Sequence, residues 1–568
     1  MHTIILAFIF GFAILCLSMR RRRRWLHDIA GPRSGSWLYG HQLRFNRQND
    51  VGELDFEWNR RYGNIWRIDD CFGVSFRCSD YYSFLVSHSS GQLECQGESL
   101  MVADPKAIHH ILHVQGYGYP KTRLSRQFTA LAFGRGVSWA ADDTHVQHRK
   151  VLAPAFAAQP IRAFLPIFRR VAAQLVQIWK DQLQCGDMSK PQVLSVSRGF
   201  SNATLDIIGE TVFDYHFGSL DGFEERNEFS DIFHNLWANS NLHPSKPAIL
   251  FGATWQFIPE SLLRFVEYLP FRQFVRFREY LVAGKRAGKE MLKDMTQYVS
   301  EGKKPHHADI LSIIVDANNS SDSSVRLSED EVLSQVTTLL FAGHETTATT
   351  LTWLAYELAH HQADQDEIRR EITGRRAKLP LRQRDFSVAD LDALVFTNAC
   401  IKEVLRFHPI SPWVTRESAI HDIIPLSKPI TLKSGKTIAD IEIGSGVPVL
   451  ISTCAYNRLA SVWGADAHEW NPRRFLNPHL RDTQVSVGLH ANVLTFSGGN
   501  SGCIGFRFAL LEMQSTITEL IENIKFTPPP GMDDIEMLRV PVGAIMAPMV
   551  KGKLHERTQM PLGVEFLH

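Results

Sequence analysis

The densest chemistry in the chain lies near its carboxyl end, in Phe496-Ser497-Gly498-Gly499-Asn500-Ser501-Gly502-Cys503-Ile504-Gly505, just ahead of the helical run FRFALLEM. Glycines let a backbone come close to a flat cofactor. A cysteine where a helix begins is helped toward thiolate by the helix amides and dipole, and the thiolate is the form that ligates a metal. Taken alone, the residue also fits a small buried cysteine at a helix start. A second cluster, Ala342-Gly343-His344-Glu345-Thr346-Thr347, sits inside an apolar pattern running over about 331–360. Glu345 and Thr346 form an acid and alcohol pair able to relay protons. Threonine back-bonding can also open a helix ladder locally. In isolation, plain packing for the threonines and a solvated face for Glu345 are the better account of these residues. Glu403 and Arg406 are spaced to meet on one helix face, a pairing that is mostly surface decoration.

Those residues need a scaffold, and the pattern between about 142 and 380 is a succession of helical periods with few strand-like runs. Short β-branched or alternating runs near 63–68, 413–452 and 526–550 predict small sheets. The fold class is therefore mainly α with small β-sheets. With 568 residues, 44% of them hydrophobic and 21% charged, the chain can bury a large core. No low-complexity linker or internal repeat follows the first forty residues, which favours one large catalytic domain. The balance of 61 Lys+Arg against 60 Asp+Glu argues against a nucleic-acid binder with a broad basic face. Eight cysteines without a CxxC pair read as mostly free thiols in a reducing compartment.

The amino terminus is different. Residues 4–19 are almost uninterruptedly apolar and five arginines follow at 20–24, the reverse of the charge order in a cleaved secretory signal. The expectation is a single-pass membrane anchor with a basic flank over 1–24, the arginine side and everything after it facing the cytosol. A buried apolar helix is the alternative. The sequons at Asn202, Asn318 and Asn319 would then go unglycosylated. Gly31-Pro32-Arg33-Ser34-Gly35-Ser36 cannot continue a helix and suggests a hinge over 25–40, with the catalytic domain at 41–568. Within that domain 74–96, VSFRCSDYYSFLVSHSSGQLECQ, is serine-rich and aperiodic, and it separates two stretches that read as neighbouring strands of one hairpin. Val74-Ser75 can be encoded by a GT-AGT splice donor and Gln96 by a terminal CAG, so a retained intron and a genuine surface loop both fit.

The cysteine loop, Phe-x-x-Gly-x-x-x-Cys-x-Gly, resembles the signature of cytochromes P450, and the segment around Glu345 and Thr346 resembles that family's oxygen-binding helix. Gly343 would make room for dioxygen there. Asn471-Pro472-Arg473-Arg474-Phe475 resembles the third partner of the family's structural triad, joining Glu403, Arg406 and Arg474. His145-x-x-x-Arg149 and Arg416 match positions that bind haem propionates. Five matched pieces in chain order make the resemblance specific. The segment 116–156 is similar to members from filamentous fungi, particularly basidiomycetes. One position departs: where the family has arginine two residues before the cysteine, this chain has Ser501, which brings no charge to a propionate.

The resemblance implies haem b held through Cys503 as the axial iron ligand, with His145, Arg149, Arg416, Phe496, Gly499 and Gly505 around the cofactor. It implies insertion of one oxygen atom of O2 into a lipophilic small molecule, such as a terpenoid of fungal secondary metabolism. Electrons would come from NADPH through a separate P450 reductase, because no GxGxxG follows a strand here. The place would be the endoplasmic reticulum membrane. Three alternatives remain: a haem-thiolate enzyme that rearranges or dehydrates, an inactive or poorly folding product owing to Ser501 and 74–96, and a non-catalytic membrane-tethered haem-binding protein.

Overall fold

The computed structural model describes residues 24–71, 98–184, 192–221, 232, 236, 242–255, 262, 265–269, 271–300, 310–319, 322–380, 385–477, 485–532 and 534–567. The expected anchor, apart from Arg24, and the whole of 74–96 lie outside the described residues. Among the described residues no helix is long and apolar enough to cross a membrane.

The helices that position the candidate residues are α1 (Arg123–Phe133), α2 (Asp142–Leu152), α3 (Leu165–Gln184), α4 (Val196–Phe213), α5 (Arg272–Ser300), α6 (Glu329–His360), α7 (Gln362–Arg376), α8 (Val395–Phe407) and α9 (Phe506–Asn523). Helix α6 shows why the sequence folds as it does. Ser328 caps it in a reciprocal box with Glu331, Glu329 and Asp330 fill the first turn, and His360 ends it. All of these suit the helix dipole. Its side chains are apolar or threonine nearly all round, so it runs buried through the middle of the molecule, packed on α4, α5, α8 and α9.

The strands form small sheets at the flanks, as the alternating runs suggested. One sheet has the order β1 (Ile65–Asp69), β2 (Glu98–Val102), β7 (Pro448–Ser452), β4 (Trp413–Glu417). Strands β5 (Asp422–Thr431) and β6 (Thr437–Ile443) pair with each other, β9 (Met537–Val542) pairs with β10 (Ile545–Val550), and β11 (Pro561–Phe566) lies between β3 (Gln192–Ser195) and β8 (Ile524–Thr527). Strands β1 and β2 are antiparallel neighbours from Ile65↔Val102 to Asp69↔Glu98. Without 74–96, only Asp70, Cys71, Phe72, Gly73 and Gly97 would join that last pair.

The stretch expected to hinge is docked on this sheet. Leu26 and Ile29 lie in the core, the Arg67 amide donates to the Ala30 carbonyl at 3.0 Å, and a Cβ at Gly31 would come within 2.1 Å of the Arg67 carbonyl oxygen. The turn residues end the first helix, and the backbone they form at Ala30 and Gly31 is pressed against β1.

Candidate active site

Cys503 precedes helix α9 by one turn rather than occupying its first position. The loop is closed beneath it by its own amide, which donates to the Phe496 carbonyl at 2.9 Å. Gly499 sits at φ +62, and a Cβ there would lie 1.7 Å from the Leu112 carbonyl oxygen, in the π-helical turn His110–Val114. Glycine is needed at that position by the packing of loop on turn. At Gly505 the nearest atom to an added Cβ is Phe156 Cε1 at 3.6 Å, ordinary contact. The Phe496 ring stands 6.2 Å from that of Phe506.

Cys71, Cys400 and Cys454 are free and buried, and burial pushes all three thiols up, Cys71 to about 12. Cys503 is also enclosed by protein, yet its surface is accessible. That combination places it on the wall of an interior space. Burial raises its pKa, while the Gly505 amide and the Arg149 guanidinium draw it back down.

Helix α6 has the same signature in its middle: Ala342 is accessible and Phe341, Gly343, Glu345 and Thr346 are half-buried, between two buried stretches of the helix. Ala342 and Thr346 share a face one turn apart, and the Thr346 hydroxyl donates to the Ala342 carbonyl at 2.7 Å. Gly343 does not face this space. A Cβ there would come within 2.3 Å of Ile208 Cδ1, so its smallness lets α4 approach α6, contrary to the expected role in accommodating dioxygen. Glu345 has one carboxyl oxygen, Oε2, buried without a hydrogen-bond partner, and burial lifts its pKa to about 8.

Four basic residues gather beside the cysteine loop. Arg149 Nη1 donates to the Gly502 carbonyl at 2.9 Å, and His145 Nδ1 lies 2.9 Å from the Tyr117 hydroxyl. Arg416 is buried, its Nη1 donating to the adjacent Thr415 carbonyl at 2.8 Å. Lys121, which carries no motif in the sequence, donates from Nζ to the carbonyls of Val137, Ser138 and Ala140 at 3.2, 2.5 and 3.3 Å. Burial, then Arg416, Arg126 and Arg149, push Lys121 down to about 7. Burial, then Lys121 and Arg149, push His145 down to about 3, and burial alone takes Arg416 to about 10. Every one of these groups is driven toward neutrality, and among the described residues no carboxylate forms an ion pair with Lys121, Arg149 or Arg416. Such a set suits a ligand that brings its own negative charges.

Glu403, Arg406 and Arg474 meet in the core. Arg406 clasps Glu403 through two bonds of 2.7 Å, Arg474 Nε donates to Glu403 at 3.2 Å, and the Asn471 amide adds a bond of 2.8 Å. Asp466, which carried no sequence signal, takes a further bond of 2.9 Å from Arg474. Asn457 links this cluster to the cysteine loop. Its carbonyl accepts from Arg406 at 2.8 Å, and its side chain accepts from the Leu494 amide at 3.0 Å and donates to Thr495 at 3.1 Å.

The family model described as cytochrome P450 matches residues 95–554. The protein named cytochrome P450 monooxygenase claW, from Ampulloclitocybe clavipes, is 27% identical over 537 residues, 93% of this chain and 92% of its own. The claP monooxygenase of the same fungus is 28% identical, over 96% of this chain and 94% of its own. Cytochrome P450 monooxygenase 205 of Postia placenta is 28% identical, over 96% and 93% respectively. With an interior cysteine, an accessible face on α6 and a match covering most of its length, the chain belongs to the cytochrome P450 family and is an enzyme of it.

Proposed function

We propose that this protein is a haem-dependent monooxygenase that inserts one oxygen atom of O2 into a lipophilic small molecule. The observation that carries the reading is the basic cluster Lys121, His145, Arg149 and Arg416 beside Cys503, in which among the described residues no acid forms an ion pair with Lys121, Arg149 or Arg416. The two propionates of haem b meet that demand, with Cys503 as the iron ligand. When bound, the haem supplies dioxygen activation, and its thiolate ligand favours O–O cleavage. Arg149 faces the Cys503 sulfur and favours its anionic form. Glu345 holds a proton at neutral pH and Thr346 lies next to it in the chain, so the pair can move protons toward the face of α6 that Ala342 occupies. Lys121 adds the charge that Ser501 does not bring.

The triad Glu403, Arg406 and Arg474 holds the loop's support and performs no oxidation. Electrons come from NADPH through a separate reductase. The apolar run 4–19 anchors the enzyme in the endoplasmic reticulum membrane with the domain in the cytosol, and an apolar terpenoid-like substrate suits that setting. We further read 74–96 as a retained intron, supported by the strand pairing on either side. Sequencing the spliced transcript tests this, and a message that keeps the segment as its main form overturns it.

The test of the monooxygenase reading is the absorption spectrum of purified protein, reduced and bound to carbon monoxide. A thiolate-type Soret band is expected, and it should disappear in Cys503→Ser. Folded wild-type protein without that band would refute the assignment.

A further inference from the structure

Helix α6 carries a second polar feature on its other flank. Ser197, Ser201, His344, Glu345, Ala348, Thr349, Thr352 and Thr558 enclose a cavity of about 20 Å3. One water needs roughly 10–15 Å3, and it persists where several polar groups surround it. Here the wall is hydroxyls, an imidazole and a carboxyl. The His344 ring Nε2 lies 2.8 Å from the Ser201 hydroxyl, and the residue's backbone carbonyl accepts from the Thr204 hydroxyl at 3.1 Å, so side chain and main chain are both tied to α4. Glu345 is the one wall residue with a buried carboxyl oxygen lacking a partner. On a helical wheel it falls between the face of Ala342 and Thr346 and the face of Ala348 and Thr352. Thr558, also on the wall, is half-buried and follows the exposed His555 and Glu556, so the cavity comes near the surface there.

We propose that Ser201 and His344 hold a water in this cavity, and that this water is the inlet through which Glu345 regains protons from the solvent at Thr558. The inference rests on the proton-relay reading above and adds the route that feeds it. Monooxygenation consumes RH, O2, NADPH and one proton and yields ROH, H2O and NADP+. The oxygen leaving as water takes up two protons, so Glu345 must be recharged in each cycle. A proton passes from bulk solvent to the cavity water, from the water to Glu345 Oε2, and from Glu345 toward Thr346. Each donor is restored by the one outside it. Burial keeps Glu345 protonated at rest, and it is then a donor waiting for a demand. Ser201 and His344 are positioning residues here, since neither touches the reacting atoms.

Hydrogen–deuterium exchange of the Glu345 carboxyl tests the route without turnover. The infrared band of the protonated carboxyl, identified by its loss in Glu345→Gln, shifts in D2O. Exchange should slow at least tenfold in Ser201→Ala and in Ser197→Val, which narrows the cavity without touching His344, and Ser201→Thr should restore it. In holoenzyme with reductase, NADPH and O2, the solvent deuterium isotope effect on NADPH consumption should rise at least twofold in the same two variants. Wild-type exchange rates and isotope effects in both would overturn the proposal. A missing thiolate-type band in wild-type protein would instead refute the monooxygenase reading, while the infrared exchange would still report on the cavity.

Discussion

Two buried charge clusters lie within this fold, and they are built on opposite principles. Around Glu403 the charges are complete: two arginines share one carboxylate, Asp466 takes the second guanidinium, and backbone carbonyls take what remains. Around Lys121 they are incomplete: Lys121, Arg149 and Arg416 bond to backbone carbonyls and, among the described residues, to no acid. A cluster balanced within the chain serves the chain's own structure. A cluster that only a foreign anion can balance marks where something else must bind.

The sharpest way to break this contrast is to unbalance the first cluster. Glu403→Gln leaves two guanidiniums buried without their carboxylate, and should cost about 3–5 kcal/mol in urea unfolding, enough to lower the yield of folded protein. The second cluster should respond with opposite signs in its two states. Lys121→Met removes a charge the haem-free protein holds at a cost, so that form should gain about 1–3 kcal/mol, while haem affinity, measured by transfer to apomyoglobin, should fall about 10- to 100-fold. The pH dependence gives an independent reading. Lys121 titrates near 7 in the haem-free fold against 10.5 when unfolded, so across that window the unfolded chain binds more protons and stability rises with pH. Bound propionates restore the protonated form, and the slope should flatten in the haem-loaded protein. The smallest effect is expected from Ser501→Arg, which adds one cation to a site already supplied: haem loss should slow by a few-fold, on the order of 1 kcal/mol.

Much of the architecture was legible in the sequence because it rests on patterns with a period. The apolar run of α6, the strands at 413–452 and the Glu403 and Arg406 spacing all follow from geometry that repeats along a chain. What was not legible depends on contacts between distant segments. Lys121 sits in an unremarkable GYGYPKTRL stretch, and only the folded chain brings it near Arg416 and Arg149. Gly343 and Gly499 stand inside recognisable motifs, yet what each makes room for, Ile208 in one case and the Leu112 carbonyl in the other, is a neighbour far away in the chain. Motif reading identified the glycines and assigned their space to a ligand; the packing assigns it to the protein. The stretch at 25–40 makes a related point, since turn residues show where a helix ends and carry no information on what the turn then rests upon, here β1.

Asn457 has a consequence for how the enzyme is assembled. By tying Arg406 to Leu494 and Thr495 it couples the seat of the thiol to the core, so the seat takes shape along with the protein rather than around the cofactor. The cysteine loop is then a mould prepared in advance. A seat shaped in advance predicts that haem uptake by the folded protein is a second-order encounter whose observed rate rises in proportion to free haem, with no plateau from a slow chain rearrangement.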